Sequence, residues 1–338
     1  MKMKGLVAAA LAGLFLVTGC GKPNDPESIN PNGTDVTGGY KIIKRFLTPG
    51  FAQDVVKKDS LLYMAQGEGG FVIVSVADPL NPLLVSVTIE NIRGYSTKVA
   101  MKDSVVFIAA GSFGVHAVDV RDPLMPVATA WNLSMKPARG LHVAGDYLFT
   151  AVSEEGISIA EVAFPYQPDI KNTFSTIGYA YDMVTTADSL LLVACGEMGL
   201  AVVDLTDFQQ GFGIYEQIGW CDTPGHAEAL AILEEESLAF MACGTAGLQI
   251  LNYADTANIF IVGSYASGGY AKDLQYKDQR IYLTTETKGL HIVDVSDPTN
   301  PKPLGVVATK YALGLDLDDD YIYLADEVEG LIILSIPD

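Results

Sequence analysis

A glycine followed by alternating aliphatic residues recurs seven times along the chain. The copies read GFVIVSV from Gly70, GVHAVDV from Gly114, GISIAEV from Gly156, GLAVVDL from Gly199, GLQILNY from Gly247, GLHIVDV from Gly289 and GLIILSI from Gly330. Successive glycines stand 44, 42, 43, 48, 42 and 41 residues apart. Self-similarity at such a period restricts a chain to solenoids, arrays or propellers. Each period holds four short runs rich in Val, Ile, Leu and Tyr, separated by turn residues, as short strands are. Around Gly289 they are YAKDLQY, the turn KDQ, then RIYLTTE, GLHIVDV and KPLGVVA. The middle runs are apolar at nearly every position, which fits sheets covered on both faces.

Four strands per period describe a propeller blade. The expected fold is therefore all-β: a seven-bladed β-propeller of four-stranded antiparallel blades, residues 40–338. A DPxxP corner opens the fourth strand in several copies: Asp78-Pro79 with Pro82, Asp122-Pro123 with Pro126, and Asp297-Pro298 with Pro301. Proline fixes φ and lacks a donor, so it ends one strand and turns the chain sharply. The phrase GLHIVDVSDP resembles the LVIVD repeat family. The resemblance is specific in the sixth copy, good in the first, second and fourth, and loose in the third. It implies a bacterial or archaeal propeller, often exported, and no particular reaction.

The last copy ends after its third strand. An orphan strand, Tyr40 to Leu47, precedes the first copy and matches the fourth-strand pattern. It is expected to complete the last blade, removing an open sheet edge. One segment conflicts with this scheme: HAEALAILEEES, His226 to Ser237, has strong helix propensity. The repeat assigns it to the innermost strand of blade five.

Residues 1–19 read as an export signal, with Lys2 and Lys4 before an apolar run too short to span a membrane. Val17-Thr18-Gly19-Cys20 resembles a bacterial lipobox, which implies cleavage before Cys20 and its lipidation. Residues 20–39 are expected to be the lipidated cysteine and a flexible tether. Gly21 offers no inner-membrane retention signal, so the outer membrane or cell surface is the expected address. Cleavage would take the formal net charge from −20 to −22 by removing Lys2 and Lys4. Such a charge repels phosphate backbones, so nucleic acid is not an expected partner, and membrane contact is expected through the anchor alone. A monomer is expected. Cys195, Cys221 and Cys243 are an odd set in an oxidising compartment. Cys195 and Cys243 read as small buried side chains, and one disulfide involving Cys221 is left open.

Motifs that carry chemistry are sparse. The clusters GEGG, GSFG, GEMG and GTAG fall between strands two and three and read as hairpin turns. Asp316 to Asp320 lacks the glycine and late glutamate of a calcium loop and reads as a turn. His116 and His291 lie on blades far apart, so they cannot share a metal, and zinc spacings are lacking.

The lead-ins to the innermost strands are more informative. They align as GFAQD, GYSTK, KPARG, GYAYD, GHAEA, GYAKD and KYALG. The second position is Phe51, Tyr95, Pro137, Tyr179, His226, Tyr270 and Tyr311; its repetition points to packing. The fourth is Gln53, Thr97, Arg139, Tyr181, Glu228, Lys272 and Leu313, whose variety suits recognition. No cofactor is expected, although Asp54, Asp182, Glu228 and Asp273 near the mouth offer a set that a calcium ion could use. The leading expectation is a non-catalytic exported lipoprotein whose ring binds a protein or glycan. One alternative is a propeller enzyme, hydrolase- or lactonase-like, with its site at the channel mouth. Another is a structural envelope component with an apolar outer patch.

Overall fold

The computed structural model describes residues 37–88, 92–132, 135–209 and 215–337. The signal and Cys20 lie outside that set. Seven four-stranded antiparallel sheets follow one another along the chain. Their first strands, at Asp54–Lys58, Lys98–Lys102, Leu141–Ala144, Asp182–Thr185, Ala229–Leu233, Asp273–Lys277 and Ala312–Leu317, neighbour one another in a closed ring. This is the expected seven-bladed propeller, with the first strands lining its channel.

Side-chain alternation explains why the ring must close. In blade one, Phe71 and Ile73 join a cluster with Val106, Ile108 and Val118 of blade two. Val72 and Val74, one residue along, join a cluster with Leu331 and Ile333 of blade seven. A strand presents successive residues to opposite faces, and here both faces are apolar. Seven such clusters lie one between each pair of neighbouring blades. No blade holds its own core.

The first strand, Lys41–Phe46, pairs with Gly330–Ser335 and completes blade seven. Tyr40 is buried, with its ring edge-on to Tyr282 of blade six. The anchor glycine shows that this strand is built like the chain's other fourth strands. Gly289 has φ of 84°, and a Cβ there would stand 2.2 Å from the Val307 carbonyl oxygen of its fourth strand. At Gly330, φ is 80° and the clash, at 2.5 Å, is with Phe46 of the N-terminal strand. Positive φ and the close approach both exclude a side chain, which accounts for the recurring glycine.

The helix-prone segment of blade five is a strand over Ala229–Leu233, paired from Ala229↔Ala242 to Leu233↔Leu238, with one 3-10 turn at Glu234–Glu236. Burial against neighbouring blades outweighs local propensity there. The long 48-residue step has its own cause. Blade four replaces the proline corner by a helical turn, Thr206–Gln209, whose Phe208 packs edge-on against Tyr147. Thr37 to Gly39, assigned above to the tether, form a turn seated on Leu304 and Gly305 of blade six.

Lysines at the first turns tie blades together. Lys58 donates to the Asp103 carbonyl, and Lys102 to the Gly145 carbonyl at 2.6 Å and to Asp146 at 2.9 Å. Lys277 donates to the Asp318 carbonyl at 2.7 Å. The Asp316–Asp320 stretch is a capped turn: Asp318 accepts from the backbone of Asp320 and Tyr321 and from the Tyr323 hydroxyl. All three described cysteines are unpaired, so the disulfide at Cys221 is not formed. Burial pushes the Cys195 thiol up to about 11 and the Cys243 thiol up to about 12.

Candidate functional site

Six of the seven hairpin turns between strands two and three bridge to the lead-in of the next blade, as in Gly67↔Ser96, Gly111↔Ala138, Gly196↔Ala227 and Gly244↔Ala271. This seats the second-position ring on the preceding turn. A Cβ on Gly67 would stand 2.7 Å from the Tyr95 ring, and one on Gly244 would stand 3.0 Å from Tyr270. His226 covers Gly196 in the same way. Tyr95, His226 and Tyr270 are thus lids over the turns that precede them. Blade three departs from this pattern. Pro137 stands in place of the ring, and nothing lies within 4 Å of a Cβ on Gly111.

At the channel mouth, bounded there by Gly111, Ser112 and Pro137, is a cavity of about 350 Å³. All seven fourth-position residues line it: Gln53, Thr97, Arg139, Tyr181, Glu228, Lys272 and Leu313. A neighbouring depression is lined by Tyr179, His226 and Glu197, and again by Arg139 and Tyr181. Of the other sequence candidates, Asp273 is on the cavity wall. Phe51, Tyr95, Tyr270 and Tyr311 line neither space. Tyr270 still acts on the wall, donating to Glu228 at 2.6 Å.

The fifth position, at the floor side of each lead-in, is Asp54, Lys98, Gly140, Asp182, Ala229, Asp273 and Gly314, of which Lys98, Asp273 and Gly314 line the cavity. Lys98 was not singled out from sequence, although GYSTK displays a lysine where three other copies carry aspartate. Its ammonium lies 2.7 Å from Asp273 and 3.7 Å from Asp54. Burial alone would depress the Lys98 pKa; Asp273, Asp54 and Asp182 outweigh it and raise it. Burial also pushes the Asp54 and Asp182 carboxyls up to about 7, against the pull of Lys98. Both carboxylates join blades: Asp54 accepts from Val99 N at 2.9 Å and Asp182 from Leu230 N at 3.2 Å.

Glu228 belongs to a separate group, accepting from Lys272 at 2.7 Å. His226 is held by Glu197 at 2.9 Å and stacks edge-on against Tyr181. The four carboxylates considered for calcium therefore do not form one set: Asp54, Asp182 and Asp273 lie about the Lys98 ammonium, and Glu228 lies apart on Lys272. Among the described residues no group of three or more His, Cys, Asp or Glu is placed to hold a metal ion.

The glycines of the floor let neighbouring blades approach. A Cβ on Gly314 would stand 2.3 Å from Asp54 Oδ1 and 2.8 Å from its Cα. Gly314→Ala is expected to cost about 1–3 kcal/mol by overpacking. Urea unfolding of the two proteins checks this, and an unchanged midpoint would contradict the contact.

The family model described as LVIVD repeat matches residues 49–88 and 268–309, the first and sixth copies. The chain thus carries LVIVD repeats on a seven-bladed propeller. A search of curated proteins finds no match. Among solved structures, the computationally designed Ika8 protein is similar in fold, with a TM-score of 0.62 at 8% identity over 86% of this chain and 97% of that one.

Proposed function

We propose that this chain is an exported, lipid-anchored, non-catalytic binding platform that holds a protein or glycan partner at the mouth of its channel. The observation that carries the reading is the cavity wall. Seven equivalent backbone positions supply seven different side chains, from Arg139 and Lys272 through Glu228 to Leu313. Packing at equivalent positions repeats, as the lids do, whereas an asymmetric ligand needs a wall that varies.

Chain direction supports the same reading. Lys41 pairs with Ser335 and Phe46 with Leu331, so the strand starts at the corner face and runs toward the mouth. A tether from Cys20 would reach the ring on the face away from the mouth, leaving the mouth toward the medium. The hydrolase alternative is less well served. Asp54, a carboxyl held near neutrality, is only 4% exposed and is turned to Val99 rather than to the cavity. A structural envelope role draws on the exposed Leu80, Leu83, Leu124, Met125 and Phe164 at the corners of blades one to three.

Two measurements test the proposal. Labelled palmitate should enter the wild type and not Cys20→Ala, which should leave the membrane fraction; label in the variant counts against the anchor. A glycan or envelope protein captured by the mature protein should be lost on Tyr181→Ala and Lys272→Ala and kept on Leu124→Lys. Capture that survives both mouth changes refutes the platform. Loss on Leu124→Lys instead moves the role to the corners.

A further inference from the structure

We infer that the channel mouth receives the carboxylate of an acidic sugar, with Arg139 as the group that binds it. The inference rests on the binding-platform reading and names the ligand class for that site. Three cations and two carboxylates line the cavity. Lys98 is engaged by Asp273 and Lys272 by Glu228, each at 2.7 Å. Arg139 is the cation left over: among the described residues its guanidinium is in no ion pair.

It is nevertheless held in place. Its Nε donates to Ser153 Oγ at 2.6 Å, and its Cζ lies 4.9 Å from the Tyr181 ring centroid. Those contacts fix the guanidinium plane and leave the terminal nitrogens for a ligand. A planar fork of that kind matches a carboxylate with two parallel hydrogen bonds. Arg139 also stands in blade three, where the aromatic lid is replaced by Pro137 and the mouth is open at Gly111. The overall negative charge does not decide against an anion here. Screening acts over about 8 Å at physiological ionic strength, so charges close to the mouth dominate there.

The rest of the wall favours a sugar over a peptide terminus. Carboxyl-terminal recognition commonly uses backbone N–H groups aimed at the ligand. Here three of the amides nearest Arg139 are occupied: Gly111 N donates to the Ala138 carbonyl, Ala138 N to Gly111 and Arg139 N to Ala151. Gln53, Thr97 and Ser112 provide side chains that both donate and accept, as sugar hydroxyls require. The cavity, about 350 Å³, lies at the small end of ligand sites.

The test is calorimetric titration of the mature protein with D-glucuronate, its neutral methyl ester, and an acetylated tripeptide with a free carboxyl terminus. Glucuronate is expected to bind, and the ester roughly tenfold or more weakly, as loss of a charged hydrogen-bonded pair implies. Arg139→Ala should reduce glucuronate affinity by a similar factor and Arg139→Lys by less, while Lys171→Ala, at an exposed pair on blade three, should change nothing. Circular dichroism melts confirm that each variant is folded. Equal affinity for acid and ester, unchanged affinity in Arg139→Ala, or no saturable glucuronate binding overturns the inference. Binding of the peptide alone overturns it in favour of a protein terminus. In each case the platform reading stands or falls separately, on the capture experiment.

Discussion

Deleting Tyr40 to Leu47 is expected to lower the thermal unfolding midpoint by roughly 10 °C or more. The deletion strips the fourth strand from blade seven and leaves Gly330–Ser335 as an open edge. It removes Tyr40 from the cluster between blades six and seven, along with Ile42, and takes Ile43 and Phe46 from the cluster between blades seven and one. Burying one large apolar side chain is worth about 1.5–3 kcal/mol, so the loss is several kcal/mol. A change of 1 kcal/mol moves the midpoint of a large domain by about 2–4 °C. A permuted chain with residues 40–47 joined after Asp338 should recover most of the loss, because the strand would enter the same position from the other end. Calorimetry on the three proteins decides it. A deletion variant that melts like the wild type would show that the ring does not depend on this strand.

The second large effect concerns Lys98. Its ammonium lies among Asp54, Asp182 and Asp273 at the floor of the mouth. Lys98→Met leaves those carboxylates without their cation. Breaking a buried pair from one side costs about 3–5 kcal/mol. Lys98 is partly reached by solvent through the channel, with 28% of its side chain exposed, so screening places the cost toward the lower end. The cost should depend on pH in a fixed direction. Asp54 and Asp182 are held up to about 7 when folded, against 3.8 for the ordinary group. Between those values the folded ring binds more protons than the unfolded chain. These two groups therefore make stability fall as pH rises through that window and level off above about 7. Lys98→Met should steepen the fall, so its penalty is larger at pH 8 than at pH 5. Asp54→Asn in the Lys98→Met background should return part of the stability at pH 8, read as a coupling in a double-mutant cycle. A penalty that is flat with pH would remove the carboxylates from the explanation.

Most of the fold was legible because propeller physics is repetitive. The anchor glycine, the alternating aliphatics and the proline corner each answer a need that every blade has, so they recur visibly in one sequence. The orphan strand was legible for the same reason, as the fourth strand the last copy lacked. The wall of the mouth was partly legible: aligning the lead-ins separated a repeating second position from a varying fourth. The floor was not. Lys98 matters because of Asp273, 175 residues away, and their 2.7 Å separation exists only once blades two and six face one channel. Nor could spacing show that Pro137 opens the mouth at Gly111, because the missing contact belongs to the blade before it.

The sequence by itself thus determined the number of blades, the strands within them and the closure, since each rests on local periodicity and on apolar faces that need neighbours. Only the tertiary structure decided which charges meet, which are left unpaired and where the mouth is open. Pairing of charges across a ring depends on distances between blades, and those are set by how all seven pack together.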